Sequence, residues 1–293
     1  AESQAEAVLR DRERTLSSDD PRIADAIMVL AAVYLDQDRR RPIEALLHRA
    51  IAIREKAKDP NLSSSLLYLA RYYTNHKQYD RASNYYEQCL ALRKSRLGNT
   101  HPLVAQAMEH LASLRNLQGQ YCESEQLYRE ALPLLQAYFG RDHPRVLGSL
   151  VLYGDILART GRASLGAGLI QDSLTRQRQR LPRNHPDIGL SAALLGRIYV
   201  MSGDLPIADS LLDEAVSCFE DARRRSGATA DAGSGYRPWD PYMISTIANL
   251  RLGQKERALE RLDQARGRFL QDLLKEGARI GSIAEQEQFT SNE

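Results

Sequence analysis

A proline returns at a fixed interval along this chain. Pro60, Pro102, Pro144 and Pro186 each stand 42 residues from the next, and Pro21 stands 39 before Pro60. This period restricts the fold more than any other property of the sequence, because it marks one supersecondary unit repeated in tandem. No single unit can bury its apolar face alone, so the stacked array is what folds. Three of the prolines follow histidine, in GNTHPLVA, GRDHPRVL and PRNHPDIG, and two follow aspartate, in DDPRIA and KDPNL.

Each period reads as two amphipathic helices. In one repeat Leu66, Leu69, Ala70 and Tyr73 fall at i, i+3, i+4 and i+7, one face of a helix. The same slots hold Met108, Leu111, Ala112 and Arg115, then Leu150, Tyr153, Gly154 and Leu157, then Ala192, Leu195, Gly196 and Tyr199. One slot is always small: Ala31, Ala70, Ala112, Gly154, Gly196. Glycine inside a helix costs about 1 kcal/mol relative to alanine. A slot that accepts this cost marks close helix–helix contact. The second helix repeats the pattern at Ala82, Ser124, Gly166, Ala208 and Ala258, and again seven residues later at Cys89, Ala131, Ser173, Ala215 and Ala265. Cys89 is thus a small buried residue and not a reactive thiol. Gly119, Gly161, Gly203 and Gly253 recur in the turn between the helices, where a left-handed residue ends a helix.

Proline suits the first helical position, and the residue before it serves as N-cap. Asp20, Asp59 and Asp240 fit that role, and His101, His143 and His185 occupy the equivalent slot. The three histidines are therefore helix-start residues at the joints between repeats. A metal or catalytic role would need a carboxylate or cysteine partner at fixed spacing, and none is present. His48, His76 and His110 follow no pattern and read as ordinary solvent or packing residues. The chain shows no phosphate loop, dinucleotide fingerprint or nucleophile constellation, so no catalysis, cofactor or metal is expected.

Composition narrows the partners. Forty basic residues face 38 acidic ones, a formal net charge of +2. A nucleic-acid binder needs its basic residues in excess and clustered, so nucleic acid is not expected. No apolar run of 18 residues exists to cross a membrane. The N-terminus AESQAEAVLRD lacks the pattern of a signal peptide and an initial Met, and reads as a processed or cut end. Three cysteines, Cys89, Cys122 and Cys218, have no metal-ligand spacing and point to a reducing, cytoplasmic setting.

The pattern LAxxY, then G-x-Y, a small residue, LYxxAL, and LG-x-x-HP-x-VA resembles the tetratricopeptide repeat, in the 42-residue form of kinesin light chains. It is clearest in LARYYTNHKQYDRASNYYEQCLALRKSRLGNTHPLVA and LASLRNLQGQYCESEQLYREALPLLQAYFGRDHPRVL. The resemblance implies an all-α fold, a right-handed superhelical solenoid of helix-turn-helix repeats. It divides the chain into the second helix of a truncated repeat over 1–20 and five repeats over 21–225. A flexible loop at 226–239 and a sixth shortened repeat with a long C-terminal capping helix over 240–293 complete it. The run ALERLDQARGRFLQDLL resembles the end of bacterial arrays that precede a CHAT domain, a caspase-like peptidase fold, and so implies covalent continuation into an effector domain.

In such proteins the first helices line a concave groove that holds a protein segment or an extended peptide. The groove face here carries Arg71, Asn75, Glu109, Asn116, Asp155, Arg159 and Arg197, whose guanidinium and amide groups suit acidic or backbone groups of a peptide. Kinesin light chains carry Asn where this chain has Leu67, Glu109, Val151 and Ala193, so their cargo preference does not carry over. The expected function is a non-catalytic protein- or peptide-binding scaffold, with a regulator sensing a ligand or signal peptide as the alternative.

Overall fold

The computed structural model describes residues 2–36, 43–226 and 240–267. Among them every regular element is an α-helix. The first unit, Ala1–Thr160, holds α1 (Glu2–Thr15), α2 (Pro21–Asp36), α3 (Ile43–Lys56), α4 (Leu62–Asn75), α5 (Tyr79–Leu97), α6 (Pro102–Leu117), α7 (Tyr121–Phe139) and α8 (Pro144–Arg159). The second unit, Gly161–Glu293, holds α9 (Ala163–Arg180), α10 (Pro186–Ser202), α11 (Leu205–Ser226), α12 (Asp240–Arg251) and the helical residues 255–267. The division falls at Gly161, in the turn of the fourth repeat. The expected loop beyond Ser226, which ends α11, and the expected C-terminal helix beyond Gly267 lie outside the described residues.

Within each unit, consecutive helices pack on one another: α4 on α5, α5 on α6 and α6 on α7 in the first, α9 on α10 and α10 on α11 in the second. The fold is all-α, built of paired antiparallel helices. Its core is the repeated face that the periodicity picks out. Leu66, Leu69, Ala70 and Tyr73 are buried, as are Met108, Leu111 and Ala112. A fully buried leucine of this kind contributes roughly 1.5–3 kcal/mol, so each repeat adds a comparable increment. Arg115, Leu150, Tyr153 and Tyr199 are only half-buried in their slots, and Val151, Ile156 and Ile198 are buried beside them.

The small slots are where the paired helices touch. Ala70, Ala112, Gly154 and Gly196 are buried on the first helices, and Ala82, Ser124, Gly166 and Ala208 on the second. Two of these pairs meet within their units: the Ser124 hydroxyl donates to the Ala112 carbonyl at 2.6 Å, and a Cβ on Gly196 would lie 3.3 Å from the Ala208 carbonyl and 2.9 Å from Leu212 Cγ. The second small row meets a partner one helical stretch earlier. Cys89 Sγ donates to the Ser63 carbonyl at 3.1 Å, and three repeats on, Gly189 lies against Ala215 and Cys218. The periodicity did not single out Gly189. A Cβ there would stand 2.7 Å from Cys218 Cβ, closer than carbon atoms approach.

The turn slot behaves as its glycines require. Gly119, Gly161, Gly203 and Gly253 all have φ between 76° and 93°. Lys77 fills the same slot at φ 57° and carries a Cβ into a region that disfavours one.

Gly189→Ala should lower stability by about 1–3 kcal/mol, because the added methyl has a backbone-anchored neighbour and cannot be accommodated by a side-chain rotation. Thermal unfolding followed by circular dichroism checks this; an unchanged midpoint would mean that α10 and α11 have room to part.

Candidate functional site

At five joints between repeats a side chain accepts the backbone N–H two residues on. Asp20 Oδ1 takes Arg22 N at 2.9 Å and Asp59 Oδ1 takes Asn61 N at 2.7 Å. At Asp59 the bond lies in the turn ahead of α4, whose N-cap is Asn61 and not the expected Asp59, because Pro60 and Asn61 continue the turn before the helix begins at Leu62. His101, His143 and His185 do the same through Nδ1, from Leu103, Arg145 and Asp187 at 3.1, 3.2 and 3.2 Å. The histidines are N-caps with proline at N1, as the spacing predicts. Accepting at Nδ1 places the proton of the neutral ring on Nε2. The Asp20 carboxyl is held down to about 2, first by its bond to the Arg22 side chain and then by the Arg22 N–H. The α12 helix begins at Asp240, whose side chain lies outside the described ones.

Two buried arginines, missed by the periodicity, bind neighbouring repeats together. Arg54 at the end of α3 reaches Asp25 of α2 at 2.7 Å, the Asn61 carbonyl and Ser65 Oγ at 2.9 Å, and Asp59 at 3.5 Å. Arg93 at the end of α5 reaches Ser63 Oγ at 3.3 Å, the Leu103 carbonyl at 2.6 Å and Gln106 Oε1 at 3.2 Å. The signal was available: each stands eleven residues after its repeat's small residue or its equivalent, Ile43 or Ala82. Gln177 holds that slot in the second unit, and accepts from Ser191 Oγ at 2.7 Å.

The seven groove-register residues divide into engaged and unengaged side chains. Glu109 on α6 accepts from Arg145 Nε at 2.8 Å and from Ser149 Oγ, both on α8. Asp155 is buried and accepts from Arg159 Nε at 2.9 Å; Arg159 also reaches Tyr121 Oη at 3.3 Å and lies 5.4 Å over its ring. Arg71 on α4 is half-buried with its guanidinium 5.5 Å over the Tyr68 ring, and it makes no ion pair among the described residues. Asn75 is exposed and Asn116 half-buried, and neither side chain holds a hydrogen bond among the described residues. Arg197 is half-buried on α10 of the second unit.

His110 lies half-buried beside this register, its ring parallel to Tyr86 with centroids 6.0 Å apart. Desolvation first, and then the charges of Arg145, Arg71 and Arg93, push its imidazole down to about 3. It is a packing residue held neutral. His48 Nε2 sits 3.3 Å from Tyr73 Oη, and His76 Nδ1 2.8 Å from the Tyr72 carbonyl. Burial raises the Cys89 and Cys218 thiols to about 11, which keeps them unreactive. All three cysteines are free. Among the described residues no group of three His, Cys, Asp or Glu side chains is placed to hold a metal, and no helix is long and apolar enough to cross a membrane.

Family models of the tetratricopeptide repeat match residues 23–57, 61–137 and 103–165. No curated protein is significantly similar to the chain. Among solved structures, nearly identical TPR-like repeats assigned to a kinesin light chain of Podosopora anserina are 24% identical. They align over 70% of this chain and 98% of their own, with a TM-score of 0.57. BtubC (BKLC) from P. vanneervenii is 17% identical over 76% of this chain and 88% of its own, TM-score 0.60. A signal-transduction ATPase with numerous domains and a tetratricopeptide repeat sensor, from Pyrococcus horikoshii, is 14% identical over 92% of this chain and 40% of its own, TM-score 0.59. At these identities the likeness is one of fold.

Two outcomes test the side-chain roles. His143→Ala should cost about 0.5–2 kcal/mol and His143→Asp much less, because aspartate keeps the acceptor; equal losses by urea denaturation would remove the cap from the account. For His110 the folded value of about 3 lies below the ordinary 6.5. The unfolded chain therefore binds a proton that the native chain refuses, and stability, intact above pH 6.5, falls towards pH 3 by up to about 1.4 kcal/mol per pH unit. His110→Gln cannot titrate and should show a shallower fall in its urea midpoint between pH 6.5 and 4. Parallel slopes would contradict the assignment.

Proposed function

The chain is a tetratricopeptide-repeat protein, and on that premise we propose that it is a non-catalytic scaffold that holds a protein or extended peptide segment along its first-helix groove. The observation that carries this is the split within the groove register. Glu109, Asp155 and Arg159 are bonded within the protein, whereas Arg71, Asn75 and Asn116 keep polar groups uncommitted. Uncommitted donors in a row suit the carbonyls and carboxylates of an extended chain.

The finer reading is a regulatory region that continues into a caspase-like CHAT domain. It is supported by the run ALERLDQARGRFLQDLL alone. Free, buried thiols at Cys89 and Cys218 favour a cytoplasmic setting. A second reading, a sensor of a ligand or signal peptide, draws on the fold likeness to the ATPase whose repeat region is described as a sensor. Both use the same groove.

A peptide selected from a random extended-peptide library provides the test. Its affinity, measured by calorimetry, should fall at least tenfold, about 1.4 kcal/mol, in the double variant Arg71→Ala, Asn116→Ala, with the circular dichroism spectrum unchanged. A peptide that binds both proteins equally would place the interaction elsewhere and sink the groove assignment.

A further inference from the structure

The first helix of the sixth repeat, α12, leaves open a face that the earlier first helices have covered. Its small slot is Thr246, twelve residues before Ala258 as Gly196 is before Ala208. Three positions form the face: three residues before the small slot, one after it and four after it, which are i, i+4 and i+7 of one helix. In α4, α6, α8 and α10 every residue there is buried or half-buried, Leu67, Ala193 and Val200 among them. Within each unit the next first helix lies on this face. Ser65 of α4 reaches Met28 Sδ of α2 at 3.3 Å, Ser149 of α8 bonds Glu109 of α6, and Arg251 of α12 bonds the Val200 carbonyl of α10 at 3.0 Å. On α12 the same positions hold Met243, Ile247 and Leu250, which are 37%, 45% and 56% exposed among the described residues.

The chain supplies a segment that matches this face. First helices carry two apolar residues and a small one at i, i+3 and i+4, as Leu66, Leu69 and Ala70 do in α4 and Met108, Leu111 and Ala112 in α6. The triple returns as Ile280, Ile283 and Ala284, in ARIGSIAEQEQ. The spacing agrees. Ala284 follows Ala258 by 26 residues, and Ala70 follows Ile43, which holds the equivalent slot, by 27. The stretch between keeps the register of a second helix: Leu273 stands 15 residues after Ala258, as Leu97, the last residue of α5, stands after Ala82, and Phe139, the last of α7, after Ser124.

We propose that residues 278–289 are a further first helix, which docks on α12 as α4 docks on α2 and covers Met243, Ile247 and Leu250. Ile280 and Ile283 take the core positions of Leu66 and Leu69. Removal of three large apolar side chains from water drives the docking. The onward face of the segment supports the assignment. Where α12 has Met243, Ile247 and Leu250, this segment has Gly281, Glu285 and Gln288, small or polar, so it needs no cover of its own. The match departs at Arg279, which stands where α4 has Ser65 and α8 has Ser149; the aliphatic stem of an arginine still lies readily along an apolar surface such as Met243. This arrangement differs from one unbroken C-terminal helix, which would carry Ile280 away from α12. It also withholds the apolar face of α12 from a second copy and from partner helices, and it is independent of the groove reading.

The test uses the full chain with Cys122→Ser, which leaves only the buried thiols of Cys89 and Cys218. The contact of Ser65 with Met28 pairs residues 37 apart across the 39-residue step from Ala31 to Ala70, and the 38-residue step from Thr246 to Ala284 therefore pairs Met243 with Arg279 and Leu250 with Gln286. Mild oxidation of Met243→Cys, Arg279→Cys, and of Leu250→Cys, Gln286→Cys, should join each pair within the monomer, read by peptide mass spectrometry. The mismatched Leu250→Cys, Arg279→Cys should join at least tenfold more slowly. Hydrogen exchange gives a second reading without new thiols. The amides of 280–287 should exchange at least tenfold faster in Ile247→Asp, and at the parent rate in Ile207→Asp, which puts the same charge on an exposed residue of α11. Both positions are about half exposed, so the charges leave the core intact. Covalent dimers would show that a second copy covers the face and overturn the proposal. Equal joining of matched and mismatched pairs, or amides of 280–287 indifferent to Ile247→Asp, would overturn it as well.

Discussion

The close approach of paired helices governs the rest of this structure. Two helices come within backbone contact only where neither carries a large side chain, and this chain keeps such residues opposite one another within its units: Ala112 against Ser124 and Ser63 against Cys89 in the first, Gly196 against Ala208 and Gly189 against Ala215 in the second. The larger side chains then pack around these contacts and fill the space between repeats, as Tyr128, Leu135 and Leu174 do. Interiors packed this densely do not deform gradually. An extra methyl at one contact therefore acts on the joint as a whole.

Once the pairs are fixed, the joints between them need polar closure. A helix start leaves backbone N–H groups without partners. At α2, α6, α8 and α10 aspartate or histidine meets that need by accepting the N–H two positions on, at 2.9 to 3.2 Å. The alternation of Asp and His at one slot has a simple physical basis, because a carboxylate oxygen and an unprotonated Nδ1 are both acceptors at similar reach. Arg54 and Arg93 close the other side of the joint by bonding carbonyls and hydroxyls at the start of the next repeat. Their burial is tolerated because the hydrogen bonds are made, although among the described residues Arg93 is bonded to neutral groups only.

The same packing sets which groove-register side chains stay uncommitted. In the first unit these are Arg71, Asn75 and Asn116, a guanidinium and two amides, while Glu109 and Asp155 are engaged internally. Glu109 and Asp155 look like acceptors for a partner when read along the helix, yet each is bonded to an arginine, from α8 or from its own helix. On the proposed groove reading, the character of that face is set by subtraction, and what remains is cationic or neutral.

The sequence by itself determined the period, the helix pairs, the small slots, the turn glycines and the capping histidines. Each is a local property: a face that repeats every 3.6 residues, a φ that only glycine adopts without strain, a proline that fixes where a helix begins. Local properties are legible because the interaction that selects them lies within one repeat and is written again in the next. What the tertiary structure alone decided involves residues from different helices whose side chains meet by packing. The crowding at Gly189 depends on Cys218, 29 residues away; the engagement of Glu109 depends on Arg145, 36 away; and the neutral state of His110 depends on arginines from α4, α5 and α8. Periodicity assigns a residue to a face, but charge and space at that face are sums over neighbours, and those sums exist only after the helices have come together.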